Sequence, residues 1–221
     1  MSNSDSFIEE VSEEVRRDRL FALMKRYGWI AVLIVILLVG GAAYNEYRKA
    51  STQANAEATG DAMIAALKND DPIKRAAALS AVEPSTAGAQ AIALMLEAAE
   101  QVTNGEFDAA VAALKKVESN AELPLVYRQV AAFKLLAVQG ESLSVEDRRA
   151  GYEALIAPGS ALRLLAEEQL ALIEIETGKP EAATKRLQTI ASDAQATAGL
   201  RQRVSQLIVA LGVTPEPTGA D

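Results

Sequence analysis

The sequence predicts an all-α protein in which one N-terminal transmembrane helix precedes a solenoid of α-helical hairpins. Three observations lead to this fold class. Residues 27–45 carry no charged side chain and are mostly apolar, which fits a single membrane span. A glycine-containing pattern then recurs in two alanine-rich segments, as expected of repeated hairpins. No segment alternates apolar and polar residues with β-branched enrichment, so strands are not expected.

The predicted anchor covers residues 27–47, at the lower end of the length that a bilayer requires. About 20 apolar residues cross the hydrocarbon core, where a helix satisfies every backbone hydrogen bond internally. Aromatic side chains flank the run at both ends, where they favour lipid headgroups. The alternative is a buried core helix, but the other predicted helices are too alanine-rich and amphipathic to enclose it. The anchor residues are Trp29, Ile30, Leu33, Ile36, Leu37 and Tyr44.

Basic residues are more numerous before the anchor than directly after it, where only Arg48 and Lys49 follow closely. Because basic residues stay on the cytoplasmic side, the sequence predicts a cytoplasmic N-terminus and an external C-terminal domain. The long segment before the apolar run and the weak cleavage match at Ala42-Ala43-Tyr44 indicate an uncleaved signal anchor. The basic residues that set this topology are Arg16, Arg17, Arg19, Lys25 and Arg26.

Residues 1–26 form the predicted cytoplasmic arm. Apolar side chains recur at helical spacing from Phe7 to Val15, and Asp5 or Ser6 can cap the start of this helix. Two interpretations stay open: an amphipathic helix on the membrane or a partner, and a solvated extension. An interfacial helix usually carries more basic residues than this acidic stretch does.

Composition excludes several classes of function. The chain of 221 residues has a formal net charge of −8, which argues against nucleic-acid binding. It contains no cysteine and no histidine, so disulfides, thiolate metal sites and the commonest general base are all missing. We therefore expect no catalytic residues, metal, cofactor or small-molecule substrate. An acidic-residue hydrolase is the one enzyme class still open.

After the anchor, residues 48–212 are predicted to form one helical repeat domain, followed by a disordered tail at 213–221. The breaks between helices fall at Asp70-Asp71-Pro72, at 83–86 and at several glycines. Helices outside the repeat motif are predicted at 45–69, 73–82, 87–103, 125–139, 145–157, 161–177 and 197–211.

The pattern Gly-x3-Ala-Ala-x3-Leu-x2-Val/Ile occurs twice, and each copy follows an amphipathic helix. We expect the glycine to end that helix, because it adopts the left-handed cap at little cost. The small alanine pair lets the next helix approach closely, and the leucine fills the groove between the two. The predicted repeat-core residues are Gly105, Ala110, Leu114, Gly178, Ala183 and Leu187.

This pattern resembles the tetratricopeptide repeat (TPR), whose period of about 34 residues is close to the glycine spacings along the chain. The order of arm, single anchor and alanine-rich hairpins, together with segments 125–132, 163–172 and 200–207, resembles the family of ancillary SecYEG translocon subunits. That family shares its repeat domain with a cell-division coordinator. The resemblance covers roughly residues 5–212. The chain departs from the full TPR signature, because the early Trp, Leu-Gly and Tyr are largely missing, and residues 141–146 look like an insertion.

The resemblance implies a non-enzymatic scaffold on the outer, periplasmic face of the bacterial inner membrane. Its partners would be translocon subunits, periplasmic chaperones or their clients. The alternative is a scaffold or assembly factor for another cell-envelope, division or membrane complex. Tyr127 and Arg128 are candidate partner contacts because both residue types are enriched in binding hot spots, although aromatics at helical spacing more often belong to the core.

The densest carboxylates of the repeats are Glu167-Glu168 and the pair Glu174 and Glu176. Paired acid/base chemistry or calcium binding is one interpretation. No calcium-binding loop is present, however. The sequence therefore favours a solvated helix face at these positions.

Overall fold

The computed structural model describes the backbone of residues 3–212, and the side chains of most residues from position 24 onward. Every regular element in this part of the chain is helical, which confirms the all-α prediction. The predicted tail at 213–221 lies outside the described residues. The helices are α1 (Asn3–Leu67), α2 (Pro72–Ser80), α3 (Ala87–Thr103), α4 (Phe107–Glu118), α5 (Leu125–Gln139), α6 (Val145–Ala154), α7 (Arg163–Glu176), α8 (Pro180–Ser192) and α9 (Ala198–Ala210), with a 3₁₀ turn at Gly140–Ser142.

The chain divides into two compact units, residues 1–55 and residues 56–221. Within the first unit, the described chain is one continuous stretch of α1. This helix already contains Asp5 and Ser6, so the prediction that either residue caps its start is wrong. Neither proline nor glycine interrupts the sequence between Asn3 and Tyr27, and so nothing local breaks the helix there.

The second unit is a series of helices in which each packs mainly on its neighbours in sequence, from α2 to α9. In addition, α3 contacts α5. The last turns of α1 enter the same core, since Met63 and Ala66 cluster with Leu79 and Ala93. Packing between successive helices is the defining property of a solenoid.

The two copies of the repeat pattern end their first helices in the same way. Gly105 and Gly178 have φ angles of 79° and 69°, in the left-handed region. In each copy the amide after the glycine donates to the carbonyl five residues earlier, at 2.8 Å. The glycine amide itself donates to the carbonyl three residues earlier, at 3.0 Å and 3.1 Å. These two bonds form a Schellman motif, which turns the chain into the following helix.

The second alanine and the leucine of each copy are buried. Ala110, Ala183 and Leu187 are 0% exposed, and Leu114 is 1% exposed. The first alanine of each pair is not equivalent, because Ala182 is exposed on α8. The two alanines of a pair therefore do not act together, contrary to the prediction from the sequence. Adjacent helical residues point about 100° apart, so both cannot face the same neighbouring helix.

Two helices are shorter than predicted at the same connection. The structure ends α6 at Ala154 rather than at residue 157, and begins α7 at Arg163 rather than at residue 161. Pro158 disfavours helical geometry in the residue before it. Gly159 then adopts a φ of 84°, in the left-handed region that favours glycine.

Candidate functional site

Within the described residues, one helix is long and apolar enough to cross a membrane. This stretch of α1 runs from Met24 to Leu67, and its most apolar window is not buried by any other part of the described chain. Trp29, Leu37 and Tyr44 are each about two-thirds exposed. The predicted anchor residues Ile30, Leu33 and Ile36 are exposed as well.

The basic residues before this stretch are described in part. Arg17, Lys25 and Arg26 are exposed, whereas the side chains of Arg16 and Arg19 lie outside the described residues. The Arg26 guanidinium lies over the ring of Tyr27, 5.7 Å from its centroid. This cation–π contact places a positive charge beside an aromatic ring at one end of the apolar run.

In the repeat domain, α3, α5 and α7 each carry a row of mostly apolar residues that are at least partly exposed, although Leu96 and Leu165 also pack against core clusters. The residues of each row recur at positions i, i+4 and i+7, which lie on one face of a helix. All nine are exposed or half-buried. The pattern includes one charged residue, Lys134, and one amide, Gln169. We call this set the apolar stripe; it comprises Ile92, Leu96 and Ala99 on α3, Val130, Lys134 and Ala137 on α5, and Leu165, Gln169 and Leu172 on α7.

The candidate contacts Tyr127 and Arg128 lie outside the stripe, in the first turn of α5. Tyr127 is half-buried and packs against a cluster that includes Ala91 and Ala131. Its hydroxyl group lies close to Gly88. A Cβ atom added to Gly88 would be 3.6 Å from the Tyr127 hydroxyl oxygen. Arg128 is also half-buried, and its buried Nε has no hydrogen-bond partner among the described residues.

The other aromatic residues of the middle hairpin belong to the core. Phe133 and Tyr152 form an edge-to-face pair with ring centroids 5.6 Å apart. Tyr152 is only 4% exposed. Burial raises the pKa of its phenol above the ordinary value, because the charged form loses hydration, while nearby Arg148 opposes this shift.

Two of the four carboxylates on α7 are buried, so the interpretation as a solvated helix face is wrong for Glu168 and Glu174, whereas Glu176 is exposed. Glu168 and Glu174 are 6% and 5% exposed. Arg186 of α8 donates to Glu174 from Nη2 at 2.8 Å and from Nε at 3.2 Å. The same guanidinium donates from Nη1 to Glu167. These hydrogen bonds raise the pKa of Arg186, so the arginine stays charged and holds α7 against α8.

A second buried carboxylate is paired with the last helix. Glu168 accepts hydrogen bonds from Nε and Nη2 of Arg203 on α9, both at 2.9 Å. This bidentate geometry is the strong form of an arginine–carboxylate pair. It also raises the pKa of Arg203, first through the hydrogen bond and then through the charge of Glu168.

Two further pairs, one exposed and one partly buried, tie the ends of neighbouring helices together. Arg148 donates to Glu176 at 2.5 Å and lowers the pKa of that carboxyl. Arg163 donates to Asp193 at 2.7 Å and likewise lowers its pKa, with help from the Gln195 amide. Each carboxylate is thus occupied by an arginine. Among the residues that the structure describes, no group of three or more acidic side chains is placed to hold a metal ion.

Sequence reasoning missed this arginine network, although a signal was present. When the two copies are aligned on Gly105 and Gly178, Arg186 of the second copy corresponds to Ala113 of the first. Glu174 corresponds to Gln101 in the same alignment. Ala113 and Gln101 are both buried. A long cation at a core position of a repeat indicates a buried partner, because an unpaired charge there is costly.

Successive α-helices that pack mainly on their neighbours in sequence define a helical repeat domain. Residues 23–150 match the tetratricopeptide repeat-like domain family. The match covers more than half of the chain, and the protein belongs to this family. Domains of this family typically act as non-enzymatic scaffolds for protein–protein interactions. No curated protein and no solved structure matches the chain.

Proposed function

We propose that the protein is a membrane-anchored scaffold on the outer face of the bacterial inner membrane, accessory to the protein-export translocon and its periplasmic chaperones or clients. The observation that carries the proposal is an exposed apolar helix at the start of a TPR-like domain. In this proposal, residues 1–26 are the cytoplasmic arm, 27–47 the anchor, 48–212 the periplasmic repeat domain and 213–221 a tail.

The exposure of the apolar run supports the anchor. Every residue from Val32 to Val39 is at least 44% exposed. Burying one such side chain is worth about 1.5–3 kcal/mol, so the run is far more favourable in lipid than in water. Tyr27 and Tyr47 lie about 30 Å apart along the helix axis. That distance matches the thickness of a bilayer's hydrocarbon core, about 30 Å.

The excess of basic residues before Trp29 supports the orientation. A reporter that is active only outside the cytoplasm, fused after Asp221, should therefore be active. The same reporter inserted before Asp5 should be inactive. Activity of the N-terminal fusion alone would reverse the orientation and remove the periplasmic partners from the proposal.

The apolar stripe is the surface on which we expect partners to bind. Successive hairpins of a solenoid present corresponding helices side by side, which creates one extended surface. Ile92 and Leu172 are 41% and 38% exposed, so they are accessible to apolar side chains of a partner. Arg128 is a further candidate contact, because it is half-buried in the first turn of α5 and arginine is enriched in binding hot spots.

Site-specific photo-crosslinking in intact cells tests the proposal. A photo-reactive residue replaces Leu172 in the stripe, and a matched probe replaces Lys115, which is exposed on α4. We expect the Leu172 probe to crosslink translocon subunits or periplasmic chaperones, identified by mass spectrometry, and the Lys115 probe to crosslink far less. Crosslinks from Leu172 to division or other envelope proteins would instead support the alternative scaffold. Equal yields from both probes would exclude the stripe as the binding surface.

A further inference from the structure

Two cations, Lys25 and Arg26, lie at the start of the apolar run of α1, and both are exposed. No acidic residue occurs in the sequence between Asp18 and Glu46. Because ion pairs within a helix join side chains three or four positions apart, neither cation can reach a carboxylate of α1. Neither forms an ion pair with another described residue. Two positive charges are therefore uncompensated at this end of the run.

The contact between Arg26 and Tyr27 leaves the charge of the arginine in place. The guanidinium carbon lies 5.7 Å from the ring centroid. An aromatic ring attracts a cation through its quadrupole but carries no net charge. The far end of the run differs, because Lys49 follows Glu46 by three positions, and a carboxylate in the same helical turn offsets part of the positive charge there.

An exposed apolar track leads away from the two cations. Trp29 follows Lys25 by four positions and Arg26 by three, so it lies on the helix face between them. Val32 and Ile36 continue this face, and the three apolar side chains are 65%, 59% and 60% exposed in chain order. The track from Trp29 to Ile36 is about 10 Å long. A molecule with an anionic group at one end and a hydrocarbon chain at the other matches both parts.

We propose that Lys25 and Arg26 form a binding site for an anionic phospholipid. The phosphate accepts hydrogen bonds from both side chains, while an acyl chain lies along Trp29, Val32 and Ile36. The planar guanidinium presents several N–H donors to phosphate oxygens, and the ammonium adds a compact charge. A free phosphate would leave the apolar track uncovered, which favours the lipid. This inference rests on the anchor of the proposed function, but neither on its orientation nor on the translocon.

Fluorescence of Trp29, the single tryptophan of the chain, tests this site. The full chain is reconstituted into vesicles of equal parts phosphatidylglycerol, which is anionic, and phosphatidylcholine, which carries no net charge. Bromine atoms, which quench tryptophan at close contact, label the acyl chains of one lipid or of the other. We expect stronger quenching when phosphatidylglycerol carries the bromine, corresponding to a preference of about fivefold or more, since each basic side chain near an anionic surface contributes roughly that factor.

Neutralising the two cations together, as Lys25→Gln with Arg26→Gln, should abolish this preference and retain quenching by brominated phosphatidylcholine, because the apolar run is unchanged. The matched control, Arg48→Gln with Lys49→Gln, removes two cations about 33 Å away along the helix and should leave the preference at Trp29 intact. A preference that persists in the first variant, an equal loss in the control, or equal quenching by both lipids in the unmodified chain would overturn the proposal. Quenching by neither lipid would refute the anchor itself, and the lipid site with it.

Discussion

Replacing Arg186 should destabilise the repeat domain more than any other single loss of charge on α8. The residue holds Glu174, which is 5% exposed, and it also donates to Glu167. In an Arg186→Met variant the aliphatic volume remains, but Glu174 stays buried with Arg149 as its nearest cation, 3.9 Å away. That contact is too long for a strong hydrogen bond.

The size of the loss follows from this geometry. Removing one partner of a buried ion pair costs about 3–5 kcal/mol, because an uncompensated charge remains in the interior. The Arg186 side chain is 27% exposed, and water entering from that side offsets part of the cost. We therefore expect a loss near the lower end, about 3 kcal/mol. For a domain of this size such a loss lowers the melting temperature by about 6–12 °C.

Denaturation of the full chain in detergent micelles, followed by circular dichroism, measures the loss. Arg203→Met is the matched control, since its side chain is 53% exposed and also pairs with a buried glutamate. Solvent at Arg203 should limit its effect to less than half of that at Arg186. The double variant Arg186→Met with Glu174→Leu should recover part of the stability, because the most deeply buried charge is then removed together with its partner, while Glu167, whose side chain is 22% exposed, still lacks Arg186. Equal effects of the two arginine variants, or no recovery in the double variant, would refute the reasoning.

Three further outcomes are expected. Ala183→Leu should cost about 1–3 kcal/mol by overpacking the contact between α7 and α8, whereas Ala182→Leu on the exposed face should leave the melting temperature unchanged; equal effects would mean that the register of α8 is wrong. Because the folded-state pKa of Tyr152 is raised, stability should fall as pH rises above about 10, and a Tyr152→Phe variant with the same alkaline loss would assign that loss to another group. The hydrogen bond from Arg148 lowers the folded-state pKa of Glu176. The ionised Glu176 should therefore stabilise the fold above its unfolded-state pKa, and this stabilisation should disappear on acidification below about pH 4.5. If NMR titration gave the same Glu176 pKa in an Arg148→Gln variant, Arg148 would not be the cause of the shift.

Sequence alone predicted those parts of the fold that local chemistry controls. The bounds of α3 and α5 agree with the prediction, and α2 begins at Pro72, within the break predicted at Asp70-Asp71-Pro72. Prolines and left-handed glycines act within a few residues, so their effects can be predicted directly from the sequence. The apolar run of α1 is local in the same sense, because length and composition alone make it suitable for a bilayer.

Tertiary structure decided which polar side chains are buried and what pairs with them. Glu174 looks the same as any exposed helical glutamate in the sequence, yet its partner lies 12 residues away, and the partner of Glu168 lies 35 residues away. Packing also buried Ala183 and left Ala182 exposed, and it placed Tyr127 against Gly88. Helical periodicity specifies the angle between side chains on one helix. It does not specify which neighbouring helix covers each angle, because that depends on contacts between distant segments of the chain.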